Sequence, residues 1–287
     1  MPFLELLASS PGLWMLCCLL MGLTVGSFLN VVISRLPQMM EAQWRSECST
    51  LLELDAPQQE TLTLARPASR CPGCGTPIRV WQNIPVISFL LLRGRCAACG
   101  IGISWQYPVV ELAAGLLAVW AAHHFGFGWQ AATAIGLAWT LLALAVIDLR
   151  TQLLPDSLVL PLLWAGLTVN LFGVFVPLAD AVVGAMAGYL SLWLVFHAFR
   201  LLTGKEGMGY GDFKLLAALG AWMGWQLLPW IILAASAVGA LVGIGLLVTK
   251  RLAQGKPMPF GPFLAAAGWL VLLYGQDFAN WYLGKLA

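Results

Sequence analysis

The sequence predicts an all-α polytopic membrane protein: a bundle of about eight transmembrane helices with a small cytoplasmic zinc-binding insert. Three observations carry that prediction. Of 287 residues, 60% are hydrophobic and only 10% are charged, where a soluble domain carries about a quarter charged residues. The apolar residues gather into stretches near the length a bilayer requires, about 20 residues each. Four of the seven cysteines form two CxxC pairs inside the one sizeable polar block.

Taken in order, the apolar stretches place spans near 12–34, 107–125, 129–149, 157–176, 179–201, 212–224, 227–249 and 261–281. The sixth is short and bounded by glycines. The basic residues give the spans a direction. Threading eight spans from an external N-terminus puts Arg35, Arg45, Arg66, Arg70, Arg79, Arg93 and Arg95 on one side. Arg150, the 200–214 group (Arg200, Lys205, Lys214) and the 250–256 group (Lys250, Arg251, Lys256) fall on that same side. Of the 15 basic residues only Lys285 is opposite. The positive-inside rule makes the crowded side cytoplasmic, and one helix more or fewer would split the clusters. Residues 1–11 carry Glu5 and no basic region, so the first span reads as a retained anchor rather than a cleaved signal. A net charge of +2 gives no argument for a nucleic-acid partner; the bilayer is the partner implied.

This organisation divides the chain into a first transmembrane helix (1–34), a cytoplasmic Cys-rich segment (35–106) and a transmembrane bundle (107–287). The middle segment opens with a mixed-charge stretch, Gln38 to Gln59, of weak helical character. It continues into a Pro/Gly/Cys-rich part, Arg66 to Gly102. About 70 residues build too small a core to stand without a clip. Cys71-Pro-Gly-Cys74 and Cys96-Ala-Ala-Cys99 are separated by 21 residues, and Gly75 and Gly100 directly follow each pair. Two such turns offer backbone N–H groups to thiolates and supply the four ligands of tetrahedral zinc. The separation lies just beyond the usual zinc-ribbon range. Two disulfides or a redox pair are the alternatives, which a reducing cytoplasm disfavours. Four thiolates leave no open position, so a metal here would be structural. Cys17, Cys18 and Cys48 read as fillers.

Four acids sit in or beside spans: Glu111, Asp148, Asp156 and Asp212. A charge at mid-bilayer costs roughly 3 kcal/mol on insertion scales, so such residues face a partner or a watery cavity. Asp148 ends the third span and Asp212 opens the sixth, within Gly207-Met-Gly209-Tyr-Gly211-Asp212-Phe-Lys. Both reach the cytoplasmic boundary, so they share a depth although 64 residues apart. Two close carboxylates hold a single proton between them. One can then deprotonate water while the other donates to a peptide carbonyl. Gly207, Gly209 and Gly211 permit positive φ and close backbone approach, the clearance an extended substrate strand would need. A phosphate-cradling loop is a rival, but no Gly-Lys-Ser/Thr follows. Helix capping by Asp212, pairing of Asp148 with Arg150, and proton-coupled transport also stay open. The histidines, His123, His124 and His197, offer no serine-histidine alternative. Asp156, after Pro155, reads as an N-cap. Glu111, one turn inside the second span, is either a satisfied buried acid or a site for a cationic amine.

With these residues in view, the chain resembles the bifunctional type IV prepilin peptidases, a family of GxGD-type membrane aspartic proteases that includes those serving type II secretion. Gly26-Ser-Phe-Leu-Asn30 with Val-Val-Ile-Ser-Arg35-Leu-Pro37 is similar to the family's N-terminal signature, and the paired CxxC motifs match its cytoplasmic domain. Asp148 with Leu154-Pro155-Asp156, the Gly-Met-Gly-Tyr-Gly-Asp-Phe-Lys-Leu-Leu block and Pro259-Phe-Gly-Pro262 match its bundle. The GxGD element is also similar to that of presenilin-like and archaeal preflagellin peptidases; the cysteines point to the bacterial type. The resemblance implies that Asp148 and Asp212 are the catalytic pair, and that Cys71, Cys74, Cys96 and Cys99 hold structural zinc. It implies leader removal from prepilins or pseudopilins, after a glycine at the cytoplasmic boundary of a bacterial inner membrane. It also implies methylation of the new N-terminal residue by S-adenosylmethionine. No Rossmann-type glycine pattern marks a site for that methyl donor, so its residues are unassigned. A protease without the second activity, and a zinc-clipped membrane scaffold, are the rival functions.

Overall fold

A computed structural model describes residues 2–54, 62–205, 207–249 and 258–285. The 250–256 basic group and the end of the mixed-charge stretch (55–59) lie outside them. Among the described residues the regular secondary structure is helical, with no strand beyond two isolated bridges. They form two compact units, 1–127 and 128–287.

The first unit begins with a short helix, α1 (Pro2–Ser9), followed by α2 (Pro11–Leu51). Pro11 restricts Ser10 to extended backbone and so breaks the two helices apart. The expected end of the first span near residue 34 is passed without interruption. α2 runs 41 residues and carries Pro37 inside it. At 1.5 Å per residue that is about 60 Å, roughly twice the hydrocarbon thickness. Pairs at i,i+4, Glu41 with Arg45 and Gln43 with Glu47, support the polar half. A helix of one turn, α3 (Ile87–Leu91), leads toward α4 (Gln106–Phe125).

α2 and α4 pack through small residues. A methyl added at Gly22 would lie 2.7 Å from the carbonyl oxygen of Ala114, and one at Gly26 would lie 2.7 Å from the Cα of Glu111. Glycines four apart let two helix backbones approach this closely, the spacing by which membrane helices associate without a hydrophobic driving force.

The second unit contains α5 (Trp129–Thr151), α6 (Asp156–Leu171), α7 (Leu178–Thr203), α8 (Tyr210–Met223), α9 (Leu228–Val248) and α10 (Gly261–Gly284). α8 is the centre of it. From Asp212 to Met223 every residue except Lys214 is buried, so the helix is wrapped by protein on all sides. Its 14 residues extend only about 21 Å. Neighbours rather than lipid enclose it, so its length need not match the bilayer. Gly184 of α7 and Gly220 of α8 meet backbone to backbone. Asn170 holds the far end: its amide donates to the carbonyls of Ala221 and Trp222 at 2.8 and 3.0 Å. Its oxygen accepts the N–H groups of Phe175 and Val176.

The protein is thus an all-α polytopic membrane protein. Helices occupy all eight of the stretches expected from the sequence. Among the described residues, five of these helices are long and apolar enough to cross a membrane, and α6 is apolar but shorter.

Candidate functional site

Asp148 lies in the last turn of α5 and Asp212 in the first turn of α8, both buried. The chain leaves α5 sharply because Gln152 adopts the left-handed conformation (φ 55°), its N–H returning to the Asp148 carbonyl at 2.9 Å. Asp212 is the third residue of α8 after the N-cap Gly209, and its carboxylate accepts the Gly209 N–H. That contact occupies only part of the group: Oδ1 is buried without a hydrogen-bond partner. Asp148 is similar. Its carboxylate receives the backbone N–H of Gly261, while Oδ2 is buried and unpartnered. The two aspartates lie close enough for their charges to interact. Buried carboxylate oxygens without partners are costly, and here two of them stand on different helices, α5 and α8.

Glycines shape the surroundings. None of Gly207, Gly209 and Gly211 uses the positive φ that glycine permits; the property in use is close approach. A methyl on Gly211 would stand 2.7 Å from Leu154 Cβ, and one on Gly207 3.0 Å from the Phe199 ring. At Gly209 only Asp212 is near, at 3.7 Å. Gly261, within Pro259-Phe-Gly-Pro262, is a site residue whose role is not visible from the motif alone. A methyl there would lie 2.6 Å from Asp148 Oδ2 and 3.2 Å from Leu154. Leu154 is thus wedged between the backbones that carry Asp212 and face Asp148. A glycine immediately before a helix-starting proline was the available signal.

Asp156 does not cap α6. It is the first helical residue and makes no cap bond; both its oxygens accept from Lys214 Nζ at 2.7 Å, tying α6 to the second turn of α8.

The four cysteines of the polar segment come together, with their sulfurs all within 4.8 Å of one another. Cys71 and Cys99 Sγ are 3.8 Å apart, close to the edge of a tetrahedron with Zn–S near 2.3 Å, about 3.8 Å. Each pair makes the same turn. Gly75 N–H returns to Cys71 O and Gly100 N–H to Cys96 O, with φ of +69° and +73°, and bridges Arg70–Pro77 and Arg95–Gly102 close both hairpins. Thr76, 3.2 Å from the sulfur, helps bring the Cys74 thiol down to about 6. The backbone N–H groups of Cys99 and Ala98 lower that of Cys96. Although the Ile101 N–H lowers it, hydrogen bonds to the sulfurs of Cys74, Cys71 and Cys96 raise the Cys99 thiol to about 11, so the sulfurs do not ionise alike. Metal binding requires thiolates, and the cluster can hold a metal ion. Cys17, Cys18 and Cys48 stand apart from it as free thiols.

Glu111 is buried. Its Oε2 accepts the Val86 N–H at 2.8 Å, and the Ser27 hydroxyl also bonds to it. Asn30 donates to the carbonyls of Gly26 and Tyr107. Asn170 is likewise satisfied by backbone groups, so Asn30 and Asn170 act as structural ties.

Fold and site together define a membrane protein with a buried aspartate pair in one helical unit and a four-cysteine cluster in the other. Residues 20–125 match the model of the bacterial peptidase A24 N-terminal domain, and residues 135–244 that of the type IV leader peptidase family. The prepilin leader peptidase/N-methyltransferase of Stutzerimonas stutzeri is 57% identical over 280 residues, 97% of each chain. That of Pseudomonas aeruginosa is 55% identical over 284 residues, covering 99% of this chain and 98% of its own. That of Aeromonas salmonicida is 53% identical over 286 residues, 99% and 98% of the two chains. No solved structure matches significantly. The chain belongs to the type IV leader peptidase family.

Proposed function

We infer that this chain is a prepilin leader peptidase and N-methyltransferase: it cuts the leader from type IV prepilins or pseudopilins and methylates the N-terminus so formed. The observation that carries the peptidase half is the pair of buried carboxylates, each with one oxygen unused by the protein.

Asp148 and Asp212 act as the catalytic dyad. Sharing one proton, they present a base and an acid to the same peptide. The ionised carboxylate takes a proton from water, and the hydroxide formed attacks the scissile carbonyl carbon. The protonated partner donates to the carbonyl oxygen. Collapse of the tetrahedral intermediate breaks the C–N bond: the departing amine receives the proton first taken from water, and the former carbonyl oxygen's proton, or that of the added hydroxyl, returns to the other aspartate, so the pair again holds one proton. The N-terminus of α8, with its free N–H groups, supports the negative charge of the pair. Gly209, with only Asp212 near it, gives an extended substrate backbone room beside the dyad, while Gly207 and Gly211 close on Phe199 and Leu154. The cysteines Cys71, Cys74, Cys96 and Cys99 hold zinc, which fastens the polar segment and takes no part in hydrolysis. S-adenosylmethionine supplies the methyl group.

The distribution of basic residues supports an orientation with the N-terminus periplasmic and the 35–106 segment cytoplasmic, in a bacterial inner membrane. That orientation puts both aspartates at the boundary where the positively charged end of a pilin leader would lie.

Incubating the purified protein with a pilin precursor and S-adenosylmethionine tests the reading. Mass spectrometry of the product N-terminus is expected to show both leader loss and one added methyl. An intact precursor overturns the peptidase reading, and an unmethylated product overturns the second activity.

A further inference from the structure

The polar segment of the first unit encloses a cavity of about 580 Å³ that the aspartate dyad does not use. That volume lies within the range of small-molecule sites. Its wall carries the rings of Trp81, Phe89 and Tyr107, with Arg70 and Arg79 contributing charge. Glu111 is the one acid lining it among the described residues.

Much of the N-terminal signature serves to hold Glu111. Gly26 lets α2 approach the Glu111 backbone, Ser27 bonds its carboxylate, and Asn30 ties Gly26 to Tyr107. Val86 donates its N–H to Glu111 from a left-handed conformation, φ 59°, strained for a β-branched residue. Such strain persists only where the surroundings impose it. Arg35 adds the other anchor, donating to the carbonyls of Thr63, Leu64 and Pro67 in the polar segment. A carboxylate accepts about four hydrogen bonds, so Val86 and Ser27 leave Glu111 with capacity for a cation.

We propose that this cavity is the methyl-transfer site, taking S-adenosylmethionine against its aromatic wall while Glu111 holds the new N-terminal amine of the cleaved pilin. The assignment rests on the bifunctional reading above. Aromatic faces attract a sulfonium and stack with a purine, and arginines pair with the methionine carboxylate. In the transfer the amine nitrogen forms a bond to the methyl carbon as the carbon–sulfur bond breaks. Sulfur keeps the electron pair and becomes a neutral thioether. The amine gives up one proton, for which the Glu111 carboxylate is the acceptor at hand.

Binding and turnover measured on the full-length protein in detergent separate the parts of this assignment. Calorimetry with S-adenosylmethionine and S-adenosylhomocysteine is expected to show Trp81→Ala, and the cavity-filling Ile103→Trp, weakening both ligands at least tenfold. Glu111→Gln keeps the acceptor for Val86 and the shape of the side chain. It is expected to bind S-adenosylhomocysteine within twofold of wild type, to cleave prepilin normally, and to lose at least a hundredfold in methylation rate. Prepilin cleavage and metal content of each variant report that it is folded. Unchanged affinity in both Trp81→Ala and Ile103→Trp overturns the cavity, and normal methylation by Glu111→Gln overturns the role of that residue. A wild-type protein that cleaves yet binds neither ligand overturns the bifunctional reading itself, and the site with it.

Discussion

The two units hold their buried acids in opposite ways. In residues 128–287, Asp148 and Asp212 each face one backbone N–H and keep one oxygen free of protein partners, while Gly211 and Gly261 close on Leu154. In residues 1–127, Glu111 is tied to Val86 and Ser27, and the segment above it is ordered by hydrogen bonds and four cysteines. An acid left short of partners is poised for proton transfer; an acid held by donors is poised to bind. The difference also separates the ways each site fails. The aspartate pair is packed by small residues that cannot grow, and the metal proposed for the four cysteines can be removed.

The sharpest way to break that contrast is to neutralise the dyad. Asp148→Asn or Asp212→Asn should lower prepilin cleavage by about 10³-fold or more, in line with loss of general acid–base catalysis. Circular dichroism and metal content should stay unchanged. The next largest effect should fall on the other unit. Cys71→Ser, or chelator treatment of the wild type, should release the metal and raise protease sensitivity between residues 62 and 106, while the 128–287 helices stay protected. Equal loosening of both units would show that the clip is not local. Gly261→Ala tests the packing side. The added methyl must push Asp148 aside from 2.6 Å, and displacement on the ångström scale costs about 10²-fold in rate. Cleavage should fall by roughly that factor with metal content unaffected. Smallest is the ion pair at the start of α8. Asp156→Ala removes a half-exposed partner of Lys214, and should cost at most about 1 kcal/mol in thermal stability.

Much of this was legible in the sequence, because each span is a run of apolar residues and each cluster of arginines is a local feature. Helices fill every expected stretch, and the four clustered cysteines are the four the spacing selected. What was hidden depends on contacts between distant residues. α2 runs on past residue 34 because its polar half is held by i,i+4 pairs, which a hydropathy reading passes over. The aspartates could be matched in depth from topology, but their unpartnered oxygens follow from how α5 and α8 pack. Gly261 could be quoted as part of a motif, yet its contact with Asp148 spans more than a hundred residues of chain. Asp156 looked like a cap because it follows a proline. Lys214, on a helix two further along the chain, captured it instead. Glu111 was visible as a buried acid, while the cavity beside it exists only once the two cysteine turns have closed.

The central claim is that Asp148 and Asp212 act as one unit on the scissile peptide. Intact-mass kinetics of prepilin cleavage by the two single Asn variants and the double variant test it directly. The expected result is that all three lose activity to the same residual level, because either carboxylate alone cannot supply both base and acid. A single variant that retains a tenth or more of wild-type cleavage, or a double variant slower by the product of the single losses, contradicts it.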